Sequence, residues 1–252
     1  MVVSARCSLK PIWSDLTKQM GLIPMSVQEG HILSAEIILY GTRSPLVVDY
    51  EETAQRLGIR VAAGIALGGP IRMLNRRVAI EKAQIAQHQL SAPFIPCAFG
   101  PRRRQELASD AIAAGLRASD ALVDPTAVVA QSVRMGVMTF VNAAAVIGGA
   151  CLIGDRVVVN RCASIGHHCF IGDDVSIGPG ATLASNIQLG NGVIIGVGAT
   201  ILPDVKIGAG AIVAGGSVVR SSVEADTLVA CNPASARQYD ISKSIFGVGE
   251  EE

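Results

Sequence analysis

Residues 160–219 read NRCASIGHHCFIGDDVSIGPGATLASNIQLGNGVIIGVGATILPDVKIGAGAIVAGGSVV, and an aliphatic side chain returns at every sixth position of this stretch. The column extends from Val123 to Val219 without an insertion, and each of its members is aliphatic or methionine. The residue two positions earlier is nearly always small or β-branched, as at Ala163 and Val175. A fixed short period of this kind is the signature of a repeat architecture.

Six residues are enough for one short strand and one turn, and three such units close a triangular coil. Both columns would point into the coil, and successive coils would stack about 4.8 Å apart through strand pairing. The residue after each aliphatic is often Gly or Asn, so we predict positive φ angles at these turn positions. The pattern therefore predicts a stacked β-helix over residues 119–222.

The composition agrees with a narrow interior. Half of the 252 residues are hydrophobic but only 4% are aromatic, which indicates a core of small aliphatic side chains. The formal net charge is zero, so a nucleic-acid-binding surface is not expected. The most apolar stretch, residues 121–153, contains Asp124 and Arg134, and a membrane-spanning helix is not expected there. The N-terminus lacks the apolar segment of a secretory signal, and the six cysteines show no CxxC spacing, so reduced thiols in a cytoplasmic protein are the simplest interpretation.

The N-terminal half alternates between strand and helix patterns, which predicts a small parallel sheet within residues 34–118. Ser44 and Pro45 are typical of a helix start, and Gly58 is typical of a helix end. The predicted strands are 35–41, 59–65 and 92–100, and a second helix is predicted from Pro101 to Ala114.

The two ends of the chain fit neither pattern. Residues 1–33 are either an N-terminal extension or sequence that precedes a true start at Met20 or Met25. Residues 223–252 follow the last repeat and are interpreted as a C-terminal tail. The predicted organisation is therefore an extension, an α/β domain, a β-helix and a tail.

Residues 119–222 resemble the left-handed β-helix of hexapeptide-repeat acyltransferases. The stretch quoted above, followed by LVACNPASAR at residues 228–237, is similar to the sialic acid O-acetyltransferases and the nucleotide-sugar N-acetyltransferases. Close relatives in that family acetylate a UDP- or GDP-linked 4-amino sugar in bacterial glycan synthesis. The resemblance implies a Rossmann-like N-terminal domain that holds the nucleotide sugar, acetyl-CoA as the acyl donor, a homotrimer, and no metal.

Acyl transfer from a thioester to an amine or hydroxyl needs a general base, and histidine suits this role near neutral pH. His167 and His168 follow the inward Ile165 and lie outside both inward columns, so their side chains are expected to face outward. In the resembled family the base stands at the position of His167, and an acidic residue follows it. Here His168 takes that place, so the catalytic assignment of this pair leaves open what activates the base.

Other site residues are implied by the resemblance. A family asparagine near the acceptor aligns with Asn160, which the sequence alone interprets equally well as a turn residue with positive φ. A family histidine that contacts acetyl-CoA is replaced by Ser176. Coenzyme A lies in the family between adjacent β-helices, where Val197 and Gly215 fall by alignment.

The nucleotide-sugar residues implied by the resemblance are Gly41, Arg43, Ser44 and Gly100. This turn has one glycine where the family has several, and residues 62–64 (Ala-Ala-Gly) stand where the family has acidic residues. Three arginines at 102–104 either add positive charge there or form a solvated helix start, which is the favoured interpretation.

Four functions remain open at this point. The first is acetylation of a nucleotide-linked sugar at nitrogen or oxygen, and the second is acyl transfer to a different acceptor. The third is a metal enzyme of the γ carbonic anhydrase type, which needs three histidines from adjacent coils and is disfavoured by a single adjacent pair. The fourth is a non-catalytic scaffold, since a fold does not by itself imply an activity.

Overall fold

A computed structural model describes residues 35–232 and 235–237. These residues all belong to one compact unit, so the sheet and the β-helix form one body. The predicted extension at 1–33 and most of the predicted tail lie outside the described residues. Within the described part, no helix is long and apolar enough to cross a membrane.

The N-terminal part is a five-stranded parallel sheet with the strand order β3-β2-β1-β4-β5. Its elements are β1 (Glu36–Tyr40), α1 (Val47–Arg56), β2 (Arg60–Ala66), β3 (Ala79–Glu81), β4 (Pro93–Pro96), α2 (Pro101–Ala113) and β5 (Arg117–Ala118). Short 3-10 helices cover Arg76–Val78, Lys82–Gln84 and Gln87–Ser91. The predicted parallel sheet is present, whereas β3, β5 and the 3-10 helices are not predicted by the sequence pattern.

A side-chain hydrogen bond lies just before the first residue of α1, and a glycine with positive φ follows its end. The Ser44 hydroxyl accepts a hydrogen bond from the Leu46 N–H at 3.3 Å, and a turn precedes the helix, which begins at Val47. The predicted start at Pro45 is therefore two residues early. Gly58 has φ +70 and ends the helix as predicted, because Ile59 can then donate back to the Ala54 carbonyl at 2.9 Å.

The repeat region forms three parallel sheets of two-residue strands. In chain order these are β6 (Leu122–Val123), β7 (Val128–Val129), β8 (Arg134–Met135), β9 (Phe140–Val141), β10 (Val146–Ile147), β11 (Leu152–Ile153), β12 (Val158–Val159), β13 (Ser164–Ile165), β14 (Phe170–Ile171), β15 (Ser176–Ile177), β16 (Thr182–Leu183), β17 (Gln188–Leu189), β18 (Ile194–Ile195), β19 (Thr200–Ile201), β20 (Lys206–Ile207), β21 (Ile212–Val213) and β22 (Val218–Val219). Two further strands follow, β23 (Leu228–Ala230) and β24 (Ser235–Arg237).

Consecutive strands pass to the next sheet, so every third strand stacks in one face of a triangular prism. The first face contains β6, β9, β12, β15, β18 and β21 and is extended by β23 and β24. The second face contains β7, β10, β13, β16, β19 and β22, and the third contains β8, β11, β14, β17 and β20. This arrangement fits a left-handed β-helix.

The inward columns pack as predicted. Ile147, Ile165 and Leu183 stack in register on the second face, and each is at most 1% exposed. The small column lies beside them, with Ala163 and Ala181 fully buried. The prism interior is therefore a continuous aliphatic core, which explains why so few aromatic residues occur.

The predicted reason for the glycines after each inward aliphatic is wrong. Positive φ occurs two residues later in the repeats from Met138 to Gly216, for example at His168 (+58) and Asn186 (+60), and not at Gly166 or Asn160. The glycines are required by stacking, because a Cβ at Gly166 would lie 2.7 Å from the backbone of Ala184 in the next coil. Close approach of neighbouring coils, not backbone conformation, selects glycine at this column.

The N-terminal sheet packs over the first face of the β-helix. Phe140 and Val158 project from that face into the core of the α/β part, and the Tyr50 ring stacks on Phe140 with centroids 3.9 Å apart. This contact covers the first face, and none of the described residues packs a further layer over the second face.

Asp124 fastens α1 to the first coil. Its carboxylate accepts hydrogen bonds from the Thr53 hydroxyl at 2.8 Å, from the Arg56 guanidinium at 2.6 Å and from the Thr126 N–H at 2.9 Å. Burial raises the pKa of Asp124, but the hydrogen bonds from Thr126, Thr53 and Arg56 outweigh it and hold this pKa at about 2. The carboxylate therefore stays ionised at neutral pH in spite of its burial.

Arg104 is fully buried between α2 and the first face. Its guanidinium donates to the Ser176 hydroxyl at 2.9 Å and to the carbonyls of Ala98, Phe99, Arg156, Asp174 and Val175. Desolvation lowers the pKa of Arg104 to about 10, so it remains charged near neutral pH. Arg102 and Arg103 are solvated at the start of the helix, as predicted, and both pair with Glu106. The same prediction is wrong for Arg104.

Candidate active site

His167 and His168 form an exposed pair at the corner between the second and third faces. They lie in the turn that joins β13 to β14, and the structure confirms that both rings face outward. The two Nδ1 atoms are 2.9 Å apart, and the rings are perpendicular with centroids separated by 5.0 Å. The rings therefore contact each other edge to edge through these nitrogens.

The backbone of this turn is fixed by the coils on either side. The His168 N–H donates to the Gly149 carbonyl at 3.0 Å, and the His167 carbonyl accepts from the Asn186 N–H at 3.1 Å. The preceding coil presents only Gly149 and Ala150 at this corner, so no long side chain stands beside the imidazoles on that side. Backbone hydrogen bonds thus fix the turn that carries the histidine pair, and both rings are exposed.

Cys151 and Cys169 stack inside the prism directly beneath this corner. The Cys169 thiol donates to the Ala184 carbonyl at 3.3 Å, and the Cys151 thiol donates to the Gly166 carbonyl at 3.1 Å. The neighbouring Cys169 sulfur lowers the pKa of Cys151, and the neighbouring Cys151 sulfur together with burial raises the pKa of Cys169. Both side chains are buried on the inner side of the backbone, so they support the corner without reaching its outer surface.

The second face presents small or β-branched side chains outward between two corners. These outward residues are Val128, Val146, Ser164, Thr182, Thr200 and Val218. Val128 is 64% exposed and Val146 is 43% exposed, which is unusual for valine side chains arranged in one stripe.

The corner on the other side of the second face carries the predicted coenzyme residues Val197 and Gly215. They stack on adjacent coils, since the Val197 carbonyl accepts from the Gly216 N–H at 2.8 Å, and Val197 is 62% exposed. A Cβ at Gly215 would lie 3.1 Å from the Val197 carbonyl oxygen. The structure thus brings these two residues together, but on the opposite edge of the second face from His167.

Ser176 does not suit the predicted coenzyme contact. It lies on the covered first face with no exposed surface, and its hydroxyl donates to the Phe99 carbonyl at 2.5 Å while it accepts from Arg104. A coenzyme could reach this hydroxyl only if the α/β part moved away. The geometry therefore disfavours a coenzyme contact at Ser176, because folding of the N-terminal sheet onto the first face buries this position.

Asn160 is not a turn residue with positive φ, which was one of its two interpretations. It is only 5% exposed, and its Oδ1 accepts hydrogen bonds from the Arg161 N–H at 2.8 Å and the Asn142 amide at 3.0 Å. Asn142 also donates to Asp49 of α1 at 2.8 Å. Asn160 thus belongs to a ladder that links the β-helix to α1, and it is not at the His167 corner.

The predicted nucleotide-sugar residues lie at the carboxyl ends of the parallel strands. Gly41 follows β1 with φ +97, and Gly100 immediately precedes α2. Arg43 packs against the loop after β2, where a Cβ at Gly69 would lie 3.2 Å from the Arg43 side chain. Open parallel sheets bind ligands at this edge.

The acidic residue that the resembled family carries after the second strand is absent here. The end of that strand, however, lies later in the chain than the sequence indicated. Residues 62–64 lie inside β2, which continues to Ala66, and the segment that follows is Leu67-Gly68-Gly69. The strand end is thus apolar and glycine-rich. Among the described residues, no group of three or more His, Cys, Asp or Glu is arranged to hold a metal ion.

The family model of the bacterial transferase hexapeptide (six repeats) matches residues 168–202 and 186–221. Crystal structures of similar proteins include PerB from Caulobacter crescentus in complex with CoA and GDP-perosamine, with 27% identity, a TM-score of 0.71, and coverage of 84% of this chain and 99% of that one. The acetyltransferase domain of PglB from Neisseria gonorrhoeae in complex with acetyl coenzyme A has 25% identity, a TM-score of 0.70, and coverage of 81% and 99%. WeeI from Acinetobacter baumannii has 25% identity, a TM-score of 0.71, and coverage of 80% and 100%. No curated protein matches the chain by sequence.

The stacked coils match the bacterial transferase hexapeptide model over residues 168–221, and the similar structures are acetyltransferases, so the class that the fold and these likenesses define is that of an acyltransferase. Within this class it resembles the nucleotide-sugar N-acetyltransferases, as the repeat sequence predicted.

Proposed function

We propose that the protein transfers the acetyl group of acetyl-CoA to an amino or hydroxyl group of a nucleotide-linked sugar in bacterial surface glycan synthesis. The observation that carries the proposal is the exposed imidazole of His167 at a corner of the β-helix, held in a rigid turn and paired with His168. The similar PerB structure contains CoA and GDP-perosamine, and the similar PglB domain contains acetyl coenzyme A. The reaction is assigned to the cytoplasm.

The proposed chemistry needs one base and one leaving group. The Nε2 atom of His167 takes a proton from the acceptor as its nitrogen or oxygen attacks the thioester carbonyl carbon. The bond between that carbon and sulfur then breaks, and the CoA thiolate leaves and takes up the proton that His167 holds. Atoms and charge balance without a metal or a redox partner.

We assign the acceptor to the α/β part, a Rossmann-like domain over residues 34–118, and the chemistry to the β-helix over residues 119–222. Gly41, Arg43 and Ser44 at the end of β1 and Gly100 before α2 are proposed to hold the nucleotide. The missing acid after β2 favours one alternative within the same class, an acceptor that is not a nucleotide sugar.

We propose that three copies assemble through their second faces. The exposed valine stripe supports this proposal, because facing prisms would bury Val128 and Val146 together with small β-branched neighbours. A closed ring would also place the His167 corner of one copy near the Val197 and Gly215 corner of the next, which completes a coenzyme groove.

Val146→Asp is expected to break this assembly and lower acyl transfer, because the change buries an unpaired carboxylate between two copies. Light scattering gives the mass in solution, and Ile112→Asp on the exposed side of α2 is the matched control, since Ile112 is 55% exposed. A trimer that survives Val146→Asp, or a fully active monomer, contradicts the proposed assembly.

Acetyl-CoA is expected to bind the purified protein and to raise its melting temperature. Ligand at about 100 times Kd stabilises the folded state by about 2.7 kcal/mol, and acetate at the same concentration serves as the control. Amino sugars linked to UDP or GDP are then tested as acceptors by the CoA thiol they release. If acetyl-CoA binds but the acetyl group is transferred only to other acceptors, the acceptor is not a nucleotide sugar. If there is neither binding nor transfer, the protein is a scaffold.

A further inference from the structure

We propose that His168 acts as a positioning residue, whose Nδ1 accepts the Nδ1–H of His167 and so keeps Nε2 of His167 free as the base. This inference rests on the proposed acyl transfer. It identifies the group that orients and supports His167 as the base, since no carboxylate follows His167 in the sequence.

The distance between the rings decides how the protons are arranged. Two Nδ1 atoms 2.9 Å apart are at hydrogen-bond length, so one of them carries the proton and the other accepts it. A neutral imidazole has one N–H donor and one acceptor nitrogen. The pair therefore has a defined donor ring and a defined acceptor ring.

The role of His167 fixes the direction of this bond. Its Nδ1 is occupied by His168, so Nε2 is the nitrogen left to take a proton from an acceptor substrate. A neutral His167 with a lone pair on Nε2 must carry its proton on Nδ1. His168 must then present an unprotonated Nδ1, which makes it the acceptor.

The same hydrogen bond stabilises the His167 ring while it holds the proton taken from the substrate. The cationic ring still donates Nδ1–H to His168, and a hydrogen bond from a charged donor is stronger than one from a neutral donor. Protonation of both rings would place two N–H groups head to head across 2.9 Å. The hydrogen bond between the two Nδ1 atoms therefore requires that only one of them carries a proton.

The turn accepts matched substitutions at position 168. His168 has φ +58, and the equivalent positions of other coils at this corner are Ala150 (+58), Asn186 (+60) and Asp204 (+62). Alanine, asparagine and aspartate thus occur in the same backbone conformation in this chain. Replacing His168 by each of them changes the acceptor without imposing a backbone conformation that the fold does not already use.

The experiment measures kcat and KM for His168→Ala, His168→Asn and His168→Asp, with His167→Asp as the exchanged control. Alanine is expected to lower kcat by roughly 10–100-fold, less than loss of the base itself, with the KM for acetyl-CoA unchanged. Asparagine and aspartate place an oxygen near the Nδ1 position and are expected to restore most of the rate, while His167→Asp stays inactive. Selective 15N labelling of histidine should show His167 protonated at Nδ1 and unprotonated at Nε2 in the ligand-free protein.

Three results overturn the proposal. If His168→Ala keeps the native kcat while His167→Ala is inactive, His168 has no positioning role, and the proposed acyl transfer by His167 still stands. An inactive His168→Asp beside an active His167→Asp reverses the donor and the acceptor. A His167 ring protonated at Nε2 rejects the hydrogen-bond direction even if no acceptor is ever found, so failure of this inference is separable from failure of the proposed function.

Discussion

His167→Ala is expected to reduce acyl transfer by about 10²–10⁴-fold and to leave folding and acetyl-CoA binding unchanged. The imidazole is exposed and makes no contact with the aliphatic columns, so its removal creates no cavity. The backbone hydrogen bonds that fix the turn do not involve the ring and remain in the variant.

The measurement combines the transfer rate with the melting temperature and the acetyl-CoA affinity. Ser221→Ala, in the corresponding place after β22 and also exposed, is the control for a small change at this corner. A variant that loses activity together with its melting temperature would point to folding, and a variant with native activity would remove His167 from the mechanism.

Arg104→Met is expected to lower the free energy of unfolding by roughly 3–5 kcal/mol, the largest change we expect from one substitution. Methionine fills much of the same space but donates nothing, so the Ser176 hydroxyl loses a donor and several buried carbonyls lose their partner. The affected groups belong to the segment before α2 and to the β-helix, so the contact between the two parts is weakened as a whole.

Urea unfolding checks this prediction, and Arg102→Met is the matched control because the Arg102 side chain is 70% exposed. Arg104→Lys is expected to fall between native and Arg104→Met, since an ammonium group has fewer donors than a guanidinium. Equal unfolding free energies for Arg104→Met and Arg102→Met would show that the buried guanidinium contributes no net stability.

The interior of the β-helix could be predicted from the sequence because its six-residue period is strict. A side chain such as Ile165 repeats the environment of Ile147 and Leu183, so the pattern determines the inward direction and with it the outward direction of His167. The short strand β3 could not be predicted, because three residues carry too weak a pattern.

The surroundings of Ser176, Asn160 and Arg104 could not be predicted, for one shared physical reason. Each residue is buried where the N-terminal sheet covers the first face, and a long-range contact of this kind leaves no local signal at a single position. A signal does exist at longer range. The outward residues of the first face are bulky and apolar at Leu122, Phe140, Val158, Ile194 and Ile212, which indicates a covered face, whereas the second face has serine and threonine at three of its six outward positions.

The sequence alone predicts the wrong reason for these glycines, because it does not show the distance between neighbouring coils. Glycine suits both a positive φ and a close approach, and only the structure separates the two at Gly166.

The position of β13 within the second face has a consequence for how the protein loses structure. Each coil pairs only with its two neighbours, so the β-helix behaves as a nearly one-dimensional chain in which disorder enters from the ends and advances coil by coil. The strand order β22-β19-β16-β13-β10-β7 places the histidine turn after an inner strand, with stacked coils on both sides. Fraying at either terminus therefore reaches the reactive corner last, and the chemistry is protected by its distance from both ends.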